Sequence, residues 1–440
     1  MVKGFNEFNV ICAARMVQIA AQVGGQSCMA WCLGTEGRGS YAICSLFALM
    51  LVLVFSVGCD IASVYLVASK RFTVSDGIVN ALVYGGIGSV IAIAAGVTLM
   101  QLPIAFFNKA PRLSFYLALG SIPFSLLSQV LTRLLTAVQL FRWFGVISII
   151  KGISYLLLMV LFLRFFSWGV NGAVLVLILN GLIGIIISLV LLWCNCGLVW
   201  VRPSLGKLLE MLHYGVRYYI GMLSNQVNYQ VGTLVLAFFA TTSEIGLFAV
   251  AMRLATQIMV IPDTMTTVMM PKIADDEKGK AEVLARCSRF TGLFCGFMLI
   301  LIGVLAKPLV NVVFSPAFAA AIPLIRILCF GVFVRCISKI FVPYFLGSNR
   351  PGIVSLSVAV GTAVNLVAIW ILVPRIGLAG ASLGVVLSYL VSSIILTIMF
   401  VRLSGVTLRT AMTFDKVDWG LLVRSIRHCI RSSKQSLGIR

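Results

Sequence analysis

Long apolar runs, separated by short stretches with charges or turn residues, divide most of the sequence. Each run is continuous rather than alternating, and most reach the roughly 20 residues that a helix needs to cross a bilayer. We interpret the first run as a span, because it lacks the short core and cleavage site of a signal peptide. The pattern predicts twelve transmembrane helices, at 10–33, 41–68, 77–103, 114–139, 144–164, 169–193, 214–239, 243–268, 285–305, 318–347, 353–373 and 378–401.

The composition is that of an integral membrane protein. Of the 440 residues, 60% are hydrophobic and only 11% are charged, and the mean hydropathy is +1.08. An ordinary soluble protein has about 25% charged residues. Twelve spans with short connections use nearly the whole chain, so any function must be carried out inside an all-α, polytopic helix bundle.

The chain is strongly basic, with 34 Lys and Arg against 13 Asp and Glu. In a soluble protein this balance would indicate nucleic-acid binding, but membrane proteins concentrate Lys and Arg in their cytoplasmic loops. If the N-terminus is cytoplasmic, 22 of the 34 basic residues fall on the cytoplasmic side and 7 on the outer side. We therefore expect both termini in the cytoplasm and no nucleic-acid partner.

Short sequence matches recur at an offset of about 207 residues, and each pair lies at the same helix of a six-helix half. The matches are 39–42 with 246–249, 145–148 with 352–355, and 169–173 with 377–381. Because six is even, both halves begin on the same side of the membrane, so the repeat is parallel. Such paired halves usually hold substrate at their interface and alternate access by rocking.

The repeat predicts two parallel six-helix lobes around a central cavity. The N-terminal lobe is expected at 1–197 and the C-terminal lobe at 214–401. A cytoplasmic linker over 198–213 would join them, and 402–440 would form a basic cytoplasmic tail.

The first helix of each half carries a polar stripe. Its members are Arg15, Gln18, Gln22 and Gln26 in one half and Tyr218, Gly221, Asn225, Asn228 and Gly232 in the other. Spacings of three and four residues put each set on one helical face. Hydrogen bonding between helices would explain a few buried amides. Stripes this long exceed what packing needs, so they favour a water-filled cavity between the halves.

We interpret seven charged residues as lying in the interior of the predicted spans, namely Arg15, Asp60, Arg133, Arg253, Asp263, Arg335 and Lys339. A charge at mid-helix costs about 2.5 to 3.5 kcal/mol on translocon scales, so each needs a reason. Arg133 and Lys339 lie toward the cytoplasmic ends of their spans, where snorkelling explains them. Arg253 and Arg335 lie deeper, which favours a functional role.

The two span carboxylates have structural as well as functional interpretations. Asp60 either couples transport to a proton or ion, or forms a structural pair with Arg15 in the adjacent helix. Asp263 follows Pro262 and is interpreted as a cap at a helix kink.

Five buried cations against two carboxylates favour an anionic substrate. Guanidinium groups suit a diphosphate because they donate bidentate hydrogen bonds, and amides suit sugar hydroxyls.

Catalytic and metal-binding signatures are missing from the sequence. It has no phosphate-binding Walker loop, Ser-His-Asp arrangement or metal-ligand constellation, and only two His. Most of its 12 Cys lie in apolar runs, where Cys is a small hydrophobe. We therefore expect a non-enzyme with no metal and no cofactor.

Three stretches resemble the Wzx-type polysaccharide flippases of the multidrug/oligosaccharidyl-lipid/polysaccharide exporter superfamily. They are LGTEGRGSYA at 33–42, the segment from 225 through GLFAVAMR at 246–253 to MPKIA at 270–274, and FLG at 345–347 before the PG at 351–352. The resemblance implies two six-helix lobes around a V-shaped cavity. It also implies transport of undecaprenyl-diphosphate-linked oligosaccharide for O-antigen, capsule or exopolysaccharide, with energy from an ion gradient or the membrane potential. It further implies cationic cavity residues at the positions of Arg15 and Arg253.

We therefore predict a multi-pass flippase of the bacterial inner membrane. The predicted substrate-binding residues are Arg15, Gln18, Gln22, Asn225, Asn228, Arg253 and Arg335, with Asp60 for ion coupling. The expected partners are the lipid-linked oligosaccharide, membrane lipid and the polysaccharide polymerase complex. The alternatives are a cation-coupled multidrug antiporter, a lipid II type flippase and, from another class, an intramembrane enzyme or a scaffold.

Overall fold

The computed structural model describes residues 2–197, 201–273, 277–348 and 350–407. In this part of the chain each of the twelve apolar runs is mostly α-helical, and there is no strand. Ten helical segments within it are long and apolar enough to cross a membrane. The predicted all-helical membrane fold is therefore confirmed, while the count of twelve spans stays a prediction.

Sixteen α-helices are present in the described residues. They are α1 (Val2–Ser56), α2 (Cys59–Ala68), α3 (Val74–Gln101), α4 (Arg112–Gly120), α5 (Ile122–Ala137), α6 (Phe141–Val160), α7 (Gly169–Cys196), α8 (Leu205–Phe239), α9 (Thr242–Thr256), α10 (Val260–Ile273), α11 (Glu277–Val304), α12 (Ala306–Leu309), α13 (Ile322–Lys339), α14 (Val342–Gly347), α15 (Pro351–Ile376) and α16 (Leu378–Ser404).

The helices and the predicted runs do not correspond one to one, because hydropathy reports apolar length and not backbone direction. The first two runs share α1, which changes direction at Gly34, whose φ of 64° is left-handed and suits glycine. A turn at Val57 and Gly58 then starts α2. Likewise, α9 and α10 are separated by the short 3₁₀ turn Gln257–Met259 before Pro262.

Packing groups the helices by their position in the chain. In the first half, α1 packs on α6 and α7, and α5 packs on α2, α3 and α7. In the second half, α15 packs on α8 and α16, and α13 on α11 and α16. The two groups meet chiefly where α1 contacts α9 and where α2 contacts α8. The lobe boundaries and the sidedness of the termini stay predictions. Residues 198–200 of the linker and 408–440 of the tail lie outside the described part.

Two repeat-related glycines join the halves on the predicted outer side, just after the change of direction in α1. Gly39 lies against the carbonyl oxygen of Thr242, and Gly246 lies against that of Thr35. A Cβ at either glycine would overlap the opposing carbonyl, so only glycine allows this approach. Since Gly39 and Gly246 are 207 residues apart and contact one another's helix, a pseudo-two-fold axis passes close to them.

Lys109, in the connection between α3 and α4, forms hydrogen bonds with both halves in the same region. Its ammonium donates to the carbonyl of Ala240 at the end of α8, and its own carbonyl accepts from Ser40 Oγ at 3.1 Å. Burial lowers the pKa of the Lys109 ammonium from its ordinary value, and the Glu244 carboxylate opposes this shift. The two halves are thus in close contact on the predicted outer side.

Candidate functional site

A polar cavity of 740 Å³ lies between the halves, on the predicted cytoplasmic side of the glycine contact. Helices α1, α2, α5, α6, α9 and α10 surround it. Its polar lining consists of Arg15, Gln18, Gln22, Ser128, Gln129, Thr132, Arg133, Thr136, Ser148, Lys151, Arg253, Gln257 and Asp263. Four of the predicted substrate-binding residues, two glutamines and two arginines, are therefore brought together.

The α1 stripe reaches the cavity as its spacing predicts. Arg15, Gln18 and Gln22 lie along one face, and seven residues separate the first from the last, which is about 10 Å along a helix. The backbone of α1 packs closely on α6, where a Cβ at Gly152 would lie 2.9 Å from Gln18 Cα. This close contact fixes the orientation of the stripe.

Arg253 closes the deep end of the cavity. Its Nη2 donates to Gln22 Oε1 at 2.7 Å, while its buried Nε has no hydrogen-bond partner in the described structure. A guanidinium carries five N–H donors. Arg253 therefore keeps donors available for an anion while Gln22 holds its side chain in place.

A buried cation and two tyrosines lie beyond Arg253. Gln26 Nε2 donates to Tyr155 OH at 2.8 Å, and the Arg38 guanidinium lies over the Tyr41 ring at 5.7 Å from its centroid. Arg38 is only 5% exposed. Arg38 lies between the first two predicted spans, at 10–33 and 41–68, but α1 continues through it.

Lys151 is a cavity residue that is missing from the set of charged span residues predicted from the sequence. It lies in the middle of α6 and lines the cavity, and its Nζ donates to Ser128 Oγ at 2.9 Å. Its position inside the apolar run 144–164 is the signal that could have identified it.

The predicted structural pair of Asp60 with Arg15 is wrong. Asp60 instead forms an ion pair with Arg133, at 3.1 Å between Oδ2 and Nε, and Arg15 lines the cavity. The turn before α2 explains the difference, because it directs α2 against α5 rather than along α1. The ion-coupling role of Asp60 stays a prediction.

Lys339 and Asp263 form an ion pair, at 2.5 Å between Nζ and Oδ1. Lys339 Nζ also donates to Tyr229 OH at 3.2 Å, and its side chain is only 12% exposed. Snorkelling is therefore the wrong explanation of Lys339. This pair links α10 to α13, and the kink-cap interpretation of Asp263 stays a prediction.

The other predicted site residues do not line this cavity. Asn228 Nδ2 donates to Thr362 Oγ1 at 2.8 Å and to Ser388 Oγ at 3.1 Å, which joins α8 to α15 and α16. Arg335 is buried in α13, away from the cavity lining. The side chain of Asn225 lies outside the described part of the structure.

Solved transporter structures share this fold. One is an inward-facing multidrug resistance MATE family transporter of the MOP superfamily, with TM-score 0.73, 14% identity, and coverage of 89% of this chain and 98% of that one. The lipid II flippase MurJ, in an inward closed conformation, has TM-score 0.73, 16% identity, and coverage of 98% and 99%. The Vibrio cholerae MATE transporter VcmN, in the bent form, has TM-score 0.61, 16% identity, and coverage of 94% and 100%.

Sequence comparison adds one curated relative and one family. The uncharacterized membrane protein MJ1068 of Methanocaldococcus jannaschii is 30% identical over 83 residues, which is 19% of this chain and 16% of that protein. The chain thus spans about a sixth of that relative's length. A family model described as "Polysaccharide biosynthesis protein" matches residues 9–275, more than half of the chain. The resemblance stated from the sequence is confirmed: the chain belongs to the polysaccharide biosynthesis protein family and has the fold of the MOP-superfamily transporters.

Proposed function

We propose that the protein is a flippase for undecaprenyl-diphosphate-linked oligosaccharide in the bacterial inner membrane. It would serve the assembly of O-antigen, capsule or exopolysaccharide, and the polysaccharide polymerase complex would receive its product. The observation that carries the proposal is the charge of the cavity. Its lining has four cations, Arg15, Arg133, Lys151 and Arg253, and one carboxylate, Asp263. In a medium of low dielectric this excess attracts an anion strongly.

The depth of the cavity suggests the order of binding. Arg15 lies about two helical turns nearer the predicted cytoplasmic side than Gln22 and its partner Arg253. The diphosphate would meet Arg15 first and then reach Arg253, which can bind it bidentately. Gln18 and Gln22 would contact sugar hydroxyls, and the polyprenyl tail would stay in lipid. The predicted contacts of Asn225, Asn228 and Arg335 with substrate stay predictions.

Alternating access would follow from the arrangement of the halves. The glycine contact closes the predicted outer side, while the cavity lies on the predicted cytoplasmic side, so this conformation would load substrate. Rocking of the two six-helix lobes would then open the outer side. A proton or cation on Asp60 would weaken its pair with Arg133, which lines the cavity, and this is how ion coupling would act.

Both rivals of the same class share the fold. A cation-coupled multidrug antiporter needs a cavity that attracts cationic drugs, and the charge of this cavity opposes that. A lipid II type flippase would carry the same diphosphate on a different headgroup. Only substrate selection separates it from the proposed function.

The test is transport by the purified full chain in proteoliposomes that carry a proton or sodium gradient. Fluorescent undecaprenyl-diphosphate oligosaccharide, lipid II and a cationic dye are offered separately. We expect the oligosaccharide lipid to cross fastest and the dye to stay in place. Dye transport without glycolipid movement would support the antiporter, and movement of lipid II alone would support the second rival.

A further inference from the structure

A second cavity of 330 Å³ opens beside the main one, entirely within the first half. Its walls come from α1, α5, α6 and α7, and it shares Ser128, Gln129 and Lys151 with the main cavity. Lys151 therefore lies at the junction of the two. The polar residues of this side pocket are Ser45, Ser121, Ser125, Ser128, Gln129, Lys151, Tyr155 and Asn180.

The ammonium of Lys151 has no ion pair among the described residues. It donates to Ser128 Oγ, and the Asp60 carboxylate pairs with Arg133. A half-buried cation without a counter-charge is costly, and an anion entering the pocket would remove that cost. Gly184 makes this position of the ammonium possible, since a Cβ there would overlap Ser128 Oγ and lie 3.1 Å from Lys151 Nζ.

Tyr155 supplies an apolar wall that is held in place. Its ring lies so close to Gly25 that a Cβ there would be 2.6 Å from Tyr155 Cε1, and its hydroxyl accepts from Gln26. Serine hydroxyls from α1 and α5 and the Asn180 amide complete the lining. An aromatic face beside several hydroxyls and an amide matches a sugar ring, which has an apolar face and a polar edge.

We propose that the side pocket is a subsite for one acidic monosaccharide unit of the carried oligosaccharide, whose carboxylate pairs with Lys151. The volume of 330 Å³ is near the lower limit of small-molecule pockets, about 300 to 1,000 Å³, so it fits one unit and not a chain. One ammonium matches the single charge of a carboxylate. This inference rests on the proposed function and specifies its substrate class.

The experiment measures binding of two undecaprenyl-diphosphate disaccharides to the purified full chain. They differ only at C6 of the second sugar, which is glucuronic acid in one and glucose in the other. Because a hydrogen bond to a charged group contributes about 1.5 to 3 kcal/mol, we expect the acidic compound to bind at least about tenfold more tightly. Lys151→Met should reduce this ratio to about one, and Lys307→Met, at an exposed lysine, should preserve it.

Each outcome has a separate meaning. Equal affinity of the unmodified protein for both disaccharides would overturn the subsite and leave the proposed function standing. Binding of neither would overturn the proposed function as well. If Lys151→Met does not fold, Gly184→Ala provides a second variant, because the new methyl group would crowd Lys151 and should lower the same ratio.

Discussion

The polar stripes of α1 and α8 are related by the internal repeat but have different surroundings. Gln18 and Asn225 are equivalent, as are Gly25 and Gly232, at an offset of 207. On α1, Gln18 and two neighbouring stripe residues line the cavity. On α8, Asn228 instead donates two hydrogen bonds to neighbouring helices of its own half.

The residues opposite each stripe explain the difference. Gln26 on α1 bonds to Tyr155 on α6, and Asn228 on α8 bonds to Thr362 on α15, the position equivalent to Tyr155. One turn earlier, α6 carries Lys151 where α15 carries the buried Val358. The first half therefore surrounds its stripe with charge and open volume, while in the second half hydrogen bonds to neighbouring helices satisfy Asn228. Similar patterns in sequence can thus have different roles.

The largest expected effect is at Gly39, where the two halves make equivalent glycine contacts. Gly39→Ala would place a methyl group against the Thr242 carbonyl, and overpacking of this kind costs about 1 to 3 kcal/mol. We expect the population of the conformation with a closed outer side to fall roughly five- to 150-fold, and transport to fall with it. Hydrogen exchange of the amides at 35–42 and 242–249, followed by mass spectrometry, would detect faster exchange.

Gly86→Ala is the matched control, since a Cβ at Gly86 meets no atom within 4 Å. Unchanged exchange in Gly39→Ala, or equal changes in both variants, would contradict a glycine-dependent closure.

The next prediction compares a substitution in the α1 stripe with one in the α8 stripe. Gln22→Leu removes the acceptor for Arg253, so we expect transport to fall about tenfold with little change in thermal stability. Asn228→Leu removes two interhelical hydrogen bonds, so we expect unfolding to become easier by about 1 kcal/mol. Transport per folded molecule should fall much less than in Gln22→Leu. Thermal unfolding in detergent and proteoliposome transport measure the two quantities.

The opposite result, with the larger transport loss in Asn228→Leu, would mean that the α8 stripe takes part in binding. The comparison between the stripes would then be wrong.

The smallest expected effect concerns Asp60. Asp60→Asn removes an ion pair whose Arg133 partner is 43% exposed, so the loss of stability should be below about 1 kcal/mol. If Asp60 couples transport to an ion, gradient-driven transport should fall severalfold while exchange without a gradient persists. If the unmodified protein and Asp60→Asn transport substrate at equal rates under a gradient, the Asp60 carboxylate has a purely structural role.

Most of the fold could be predicted from the sequence, because each apolar run is long enough to predict a helix. The breaks could not be predicted, because they depend on backbone direction at single positions such as Gly34 and Gly58. Arg38 falls between the first two predicted runs for the same reason, since hydropathy does not show that α1 continues through it.

The site was predicted where one helix determines it and missed where several helices do. Spacing along α1 placed Arg15, Gln18 and Gln22 correctly on one face. The Asp60 partner and the cavity position of Lys151 depend on how α5 and α6 pack against neighbouring helices, and a single sequence does not record such contacts.

The most direct test of the central claim is the affinity of the purified full chain for undecaprenyl-diphosphate-linked oligosaccharide, with and without Arg253. Arg253→Ala removes a partly buried guanidinium at the deep end of the cavity, whereas Arg326→Ala removes an exposed one outside its lining. Two lost charge-assisted hydrogen bonds should weaken binding about 100-fold or more in Arg253→Ala. Arg326→Ala should bind like the unmodified protein. Equal affinity in all three proteins would contradict an anion site in this cavity.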